Sequence, residues 1–195
     1  MSLRRGFRAD ANRLSLRLRK SLGVAPEVPI DLYPIATRLG VEIVGLSTFG
    51  NEFPDAVRHL SEVDTTALSA ATLQVGPQKR IIVHNDRHKL RRQRTNIAHE
   101  FAHILLGHPL GQPLDEAGKR IINGAAEEEA TWLGSVILIS DPAAVHIVRS
   151  CMDTETACRT YVVSAPILNM RINASGAKIR VARSHRSGNS AKSAS

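Results

Sequence analysis

The chain has 195 residues, of which 43% are hydrophobic, with 26 Lys and Arg against 18 Asp and Glu for a formal charge of +8. That apolar share excludes a wholly disordered chain and suits one domain of ordinary size. Aromatic residues make up only 4%, so the core must be built from Leu, Ile, Val and Ala. The positive balance favours acidic partners or nucleic acid, although no aromatic residues interleave with the basic ones to offer a stacking surface.

The opening "MSLRRGFRADANRL" lacks the apolar run of a secretory leader. No apolar stretch reaches the ~18 residues of a membrane span. A cytoplasmic protein with no membrane contact and reduced thiols is therefore expected. Cys151 and Cys158 do not form a CxxC pair and are expected to be buried structural thiols.

In chain order, Phe7, Ala11, Leu14, Leu18 and Leu22 are spaced as on one helix face, and Gly23 stops that helix. Asp31 caps a second, short helix with Leu32, Ile35, Ala36 and Leu39 on its apolar face, ending at Gly40. "VEIVGLS" reads as a strand, and a polar loop follows from Thr48 to about Thr65. "ALSAATLQV" and "KRIIVHN" are two more strands, separated by the turn signal Gly76-Pro77. Asp86 caps a long helix running to His108, after which Pro109, Gly111 and Pro113 break the chain. A second long helix is expected from about Ala117 to Ile139, and shorter ones after Asp141-Pro142, Asp153 and Ser164-Ala165-Pro166, the last ending at Gly176. From Ser184 onward the chain lacks apolar periodicity and is expected to be a disordered tail, leaving one domain over residues 1–183. Helices, then a small three-stranded sheet, then more helices predict an α+β fold.

The chemistry concentrates in "TNIAHEFAHILLGH". His99, Glu100 and His103 form H-E-x-x-H, and residues four apart on a helix share a face, so both imidazoles can converge on one zinc ion. Glu100 lies on the flank of that face, where it can take a proton from water without binding the metal. Ile97, Ala98, Phe101, Ile104 and Leu105 surround the motif. Burying two histidines and a carboxylate among such neighbours is costly unless they have partners, and a metal supplies one. His108 does not complete the spacing of a three-histidine motif, because Leu106 and Pro109 stand where that pattern needs Gly and His. It is expected to cap the helix C-terminus. A third ligand should come from "AAEEEATWLGSVILIS", where Glu127 shares a face with Ala130 and Gly134, whose small side chains permit close helix packing.

These segments together resemble the ImmA/IrrE family of metallo-endopeptidases. "RRGFRADANRLSLRLRKSLGV" is similar to the family's opening helix, "PIDLYPIATRLGVEIV" to its second helix and first strand, "RIIVHNDRHKLRRQRTNIAHEFAHILLGH" to its strand and zinc helix, and "YVVSAPILNMRINASG" to its closing segment. "EEEATWLGSVILIS" resembles the family's E-x-x-A-N-x-F-A-x-x-L-L-M-P and places the ligand glutamate on Glu127, while Thr131, Leu133, Gly134 and Ser140 depart from the pattern. The resemblance implies a zinc-dependent endopeptidase that cleaves a cytoplasmic helix-turn-helix repressor encoded nearby, relieving repression of mobile-element or stress-response genes.

Two other readings stand beside it. One is a non-catalytic partner, such as a toxin–antitoxin component with structural zinc, against which Glu100 argues because a structural site needs no base. The other is a nucleic-acid-binding protein using "RHKLRRQR", a run that otherwise reads as the exposed first turns of the zinc helix. A peptidase also needs a donor for the oxyanion built in the transition state. His146 is the first candidate for that catalytic role, with Tyr161 and Arg171 behind it.

Overall fold

The computed structural model describes residues 3–77, 79–109 and 124–192. The fold is α+β, with nine α-helices and a three-stranded sheet among the described residues. Helix α1 (Phe7–Ser21) and helix α2 (Tyr33–Leu39) precede strand β1 (Val41–Gly45). Helix α3 (Pro54–Arg58) leads to β2 (Ala70–Gln74) and β3 (Arg80–His84). The long helices α4 (Leu90–Leu106) and α5 (Gly124–Leu138) follow, then α6 (Asp141–Arg149), α7 (Thr154–Thr160), α8 (Ala165–Ala174) and α9 (Ala177–Lys192). No single described helix is long and apolar enough to cross a membrane.

The sheet order is β1-β3-β2, with β3 parallel to β1 and antiparallel to β2. Side chains alternate faces along a strand, and β3 shows what that alternation does here. Ile82 is fully buried in the main core with the helices, whereas Ile81 and Val83 belong to a smaller cluster with Leu46 on the other face. Thr72 pairs with Ile82 in register, so its hydroxyl lies on the helix-facing side, towards α4. The main core joins Phe101 and Ala102 of α4 to Leu133 and Ile137 of α5, and draws in Ile35 and Val163 from the flanks.

Several local expectations need correction. The stretch from Thr48 to Thr65 is not a plain loop: it holds a 3₁₀ turn, the Pro54-initiated helix α3 and a π-type turn over His59–Val63. Phe49, Val57 and Leu60 pin these turns to the smaller cluster. Asp86 does not cap α4, which begins at Leu90; it accepts from the Ser47 backbone N–H at 3.2 Å and from the Ser47 hydroxyl. Ser140 caps α6, accepting from the Ala143 N–H at 3.1 Å, so Pro142 is the second helical residue. The start of α5 expected near Ala117 lies outside the described residues. The segment expected as a tail from Ser184 continues as helix to Lys192. Ala177 and Val181, one helical turn apart, bury its first turn, and no proline interrupts the later turns. Cys158 is buried, but Cys151 is exposed.

Much of the basic run has work inside the fold. Arg92 donates to Ser69 Oγ at 3.0 Å, Arg94 to the Ile30 carbonyl at 2.8 Å, and Arg87 stands 4.0 Å from Glu62.

Helices α4 and α5 cross at one very close point. A Cβ on Gly134 would lie 3.1 Å from the Ala98 carbonyl carbon and oxygen and 3.1 Å from the His99 nitrogen. These are backbone atoms of a helix and cannot swing aside. Gly134→Ala should therefore destabilise the protein by about 1–3 kcal/mol, the range for overpacking a close contact, despite alanine's better helix propensity. Denaturant titration checks this; an unchanged or raised midpoint would show that the helices separate freely.

Candidate metal centre

The site is built from the middle of α4 and the first turn of α5. His99 and His103 are one turn apart on α4, and the Gly134 contact brings α5 close enough for Glu127 to face both. His99 Nε2 lies 2.9 Å from His103 Nε2 and 3.1 Å from Glu127 Oε2, and His103 Nε2 lies 3.6 Å from Glu127 Oε1. All three ligand atoms sit within 4.8 Å of one another. Zinc–nitrogen and zinc–oxygen bonds near 2 Å in a tetrahedral site put ligand atoms about 3.3 Å apart. The observed triangle brackets that spacing, so these residues fit a divalent metal of the zinc type. Contacts this short need a hydrogen or a cation between the electron-rich atoms, and a metal can take the place of the hydrogen.

Burial pushes the His99 imidazole below its ordinary pKa, and the neighbouring His103 pushes it the same way, against smaller opposing effects of Glu100 and Glu127. The ring is thus neutral at neutral pH, the form that binds a metal. The outer nitrogens are also engaged. His99 Nδ1 lies 3.4 Å from Thr131 Oγ1, which turns Nε2 towards the cluster. Thr131 thereby supplies an oxygen where the family pattern has Asn.

Glu100 does not join the triangle. Its Oε2 accepts from Thr72 Oγ1 at 2.7 Å, so the edge strand β2 fixes the carboxylate beside the cluster. Sequence reading missed Thr72, because nothing in "ALSAATLQV" distinguishes one Thr on an alternating strand until the register is known.

The other candidates lie elsewhere. His146 is exposed on α6, a helix packed on α8 and α9, and does not join the cluster. Its cap and short connection set the start of α6, but the apolar residues Ala143, Ala144, Val145 and Ile147 claim the buried face and leave His146 outside. Tyr161 is buried, and its hydroxyl donates to the Glu27 carbonyl at 2.6 Å. Arg171 is buried too, donating to the Ile139 carbonyl at 2.9 Å and pairing with Asp141. Both are structural.

A family model, described as the IrrE N-terminal-like domain of peptidase family M78, matches residues 36–173. The chain belongs to that family. No curated protein and no solved structure matches it. The IrrE-like match brings a metallopeptidase-type chemistry and covers every residue of the cluster together with Thr72 and Glu100. It begins within α2, so α1 and the residues before it lie outside the matched span.

Of the three consecutive glutamates, Glu127 is the one that faces His99 and His103. Purified protein should carry about one metal ion, and His99→Ala, His103→Ala and Glu127→Ala should each lower its occupancy. Glu128→Ala should leave it unchanged. Elemental analysis of the four variants reads this directly; full occupancy in both histidine variants would overturn the assignment.

Proposed function

We propose that the protein is a zinc-dependent endopeptidase of the gluzincin type, with His99, His103 and Glu127 as ligands and Glu100 as general base. The observation that carries this reading is the separation of Glu100 from the three ligand atoms. A site that served folding alone would need no carboxylate held beside the metal by its own hydrogen bond.

A divalent ion at this centre supplies Lewis acidity, polarising the carbonyl of the bond to be cut and making water more acidic. The chain's own residues do the rest. Thr72 Oγ1 occupies Glu100 Oε2, which leaves Oε1 to accept a proton from the attacking water. The same oxygen can then deliver that proton to the leaving amine nitrogen. The apolar residues Ile97, Ala98 and Phe101, all buried, restrict water around the motif and strengthen the electrostatic interactions at the site. Among the described residues strand β2 is an edge of the sheet, where an extended polypeptide can add as a further strand next to the Thr72–Glu100 contact. That geometry favours a protein substrate over a small amide.

The substrate we propose is a cytoplasmic helix-turn-helix repressor encoded beside this gene, whose cleavage relieves repression. Support for it comes from the family resemblance, whereas the metal chemistry is supported by the geometry.

The test is the Glu100→Gln variant, which keeps shape and hydrogen bonding but cannot accept a proton. It should fold, hold zinc and bind the repressor, while cleavage falls at least ~100-fold, the typical loss of a general base. Co-expression of each form with the neighbouring repressor, followed by gel analysis and metal measurement, distinguishes the outcomes. Equal cleavage by both forms would refute the role of Glu100. Equal binding with no cleavage by either form would favour a non-catalytic zinc protein.

A further inference from the structure

His108, which the sequence suggests as a helix cap, has a second engagement. Gly107 takes a left-handed conformation (φ 67°) that ends α4, and the His108 N–H then donates back to the His103 carbonyl at 3.0 Å. This reversal folds the His108 side chain against His103. The two Nδ1 atoms stand 2.9 Å apart. On its far side, His108 Nε2 is 3.6 Å from Glu129 Oε2. Glu129 Oε1 in turn accepts from Arg4 Nε at 3.0 Å. The His103, His108 and Glu129 side chains are only 15%, 13% and 18% exposed.

We infer that His108 and Glu129, anchored by Arg4, form a positioning relay that fixes the tautomer and ring orientation of His103 for metal binding. The inference rests on the metal-centre reading above. Its logic is one of proton order. Two ring nitrogens 2.9 Å apart must share one hydrogen. A carboxylate 3.6 Å from His108 Nε2 favours the hydrogen of that ring on Nε2, leaving Nδ1 of His108 as acceptor. His103 Nδ1 must then be the donor, so the lone pair of His103 is on Nε2, the atom facing His99 and Glu127. The opposite order would put a lone pair against the Glu129 carboxylate and a hydrogen where the metal ligand is needed. Glu129 thus acts on the cluster through two imidazoles without touching it, and Arg4 holds it there. Arg4 lies outside the span of the family match, so this anchor comes from the chain's own N-terminal segment.

The experiment uses the full chain and two readouts besides activity: zinc affinity by chelator competition, and the visible absorption of the cobalt-substituted protein. His108→Leu, which cannot accept from His103, should bind zinc about 10–100-fold more weakly, the usual cost of losing an outer-shell partner, and should shift the cobalt bands. His108→Asn places an acceptor where Nδ1 stood and should recover most of the affinity and the wild-type spectrum. Glu129→Ala should weaken binding in the wild-type background and add nothing in the His108→Leu background. Far-UV circular dichroism of the metal-free proteins checks folding; should His108→Leu fail to fold, Glu129→Ala against Glu129→Gln carries the comparison, with Gln retaining affinity. Wild-type affinity and spectrum in His108→Leu or Glu129→Ala would overturn the relay, as would additive losses in the double variant. Absence of zinc and cobalt binding by the wild type would overturn the metal-centre reading itself, a result distinct from equal binding by every variant.

Discussion

The close crossing of α4 and α5 at Gly134 is the contact on which the site depends. Without it, His99 and His103 would line one face of α4 with nothing opposite them. With it, a carboxylate from α5 stands 3.1 Å from the His99 ring and 3.6 Å from the His103 ring, and a helix pair becomes a three-point cation site. The packing term and the electrostatic term are coupled here. Apolar burial around Ala98, Phe101, Ala130 and Leu133 draws the helices together, and that approach concentrates electron-rich atoms that repel one another unless a hydrogen or a cation stands between them. A bound cation reverses the sign of the second term, which is why metal binding and helix docking should stabilise each other.

Helix α5 is secured at both ends by different means. On its N-terminal side, Glu127 meets the His99 and His103 rings, and Glu129 meets His108 and Arg4. At its C-terminal end, Ser15 donates to the Val136 carbonyl at 3.0 Å, Arg19 to the Ile137 carbonyl at 3.0 Å, and Arg171 to the Ile139 carbonyl at 2.9 Å. The last carbonyls of a helix have no partners within it, and leaving them buried and unpaired is costly. Two buried guanidinium groups supply those partners from α1 and α8. Burial lowers the Arg19 pKa to about 10, so the group remains charged at neutral pH, the sign the C-terminal dipole favours. The site at one end of α5 therefore rests on a clamp at the other, built from elements that contribute nothing to the metal cluster.

The sheet and the helices that bury a continuous apolar stripe were legible in the sequence, because period-2 and period-3.6 patterns follow from burial on one side. His99, Glu100 and His103 share one helix by motif and phase, and phase also points to Glu127 on a second helix, but it is the close approach at Gly134 that brings Glu127 to the histidines. Thr72 was not legible, because its contact with Glu100 depends on strand register across an intervening turn. The buried Arg19 was hidden by composition, since an arginine on a basic helix reads as solvated until the carbonyls it serves are in place, whereas Arg171, which the sequence offers as an oxyanion donor, is buried against the Ile139 carbonyl. His146 misled for the converse reason. A capped start fixes where α6 begins but not which face of it is buried, and the apolar residues on either side of His146 decide that it points to solvent.

The run Glu127-Glu128-Glu129 shows what helical phase does to identical side chains. Successive residues turn about 100° around the axis, so three neighbours of one type meet three environments. Glu127 meets the two Nε2 atoms. Glu128 turns away from those atoms and, alongside Glu127, lines a cavity of about 740 Å³ with Arg5, Arg8 and Trp132. Glu129 meets His108 and Arg4. A solvated reading of such a run is sound while the helix stands alone and fails once a second helix packs against its first turn. What separates these residues is therefore not their chemistry but the position of α4, and a one-residue slip of α5 would exchange their roles. The steric limit at Gly134 opposes that slip, because it would bring Leu133 or Ser135 against the Ala98 and His99 backbone, where no Cβ fits without moving the helix. The glycine that lets the helices touch also sets which glutamate faces the metal cluster.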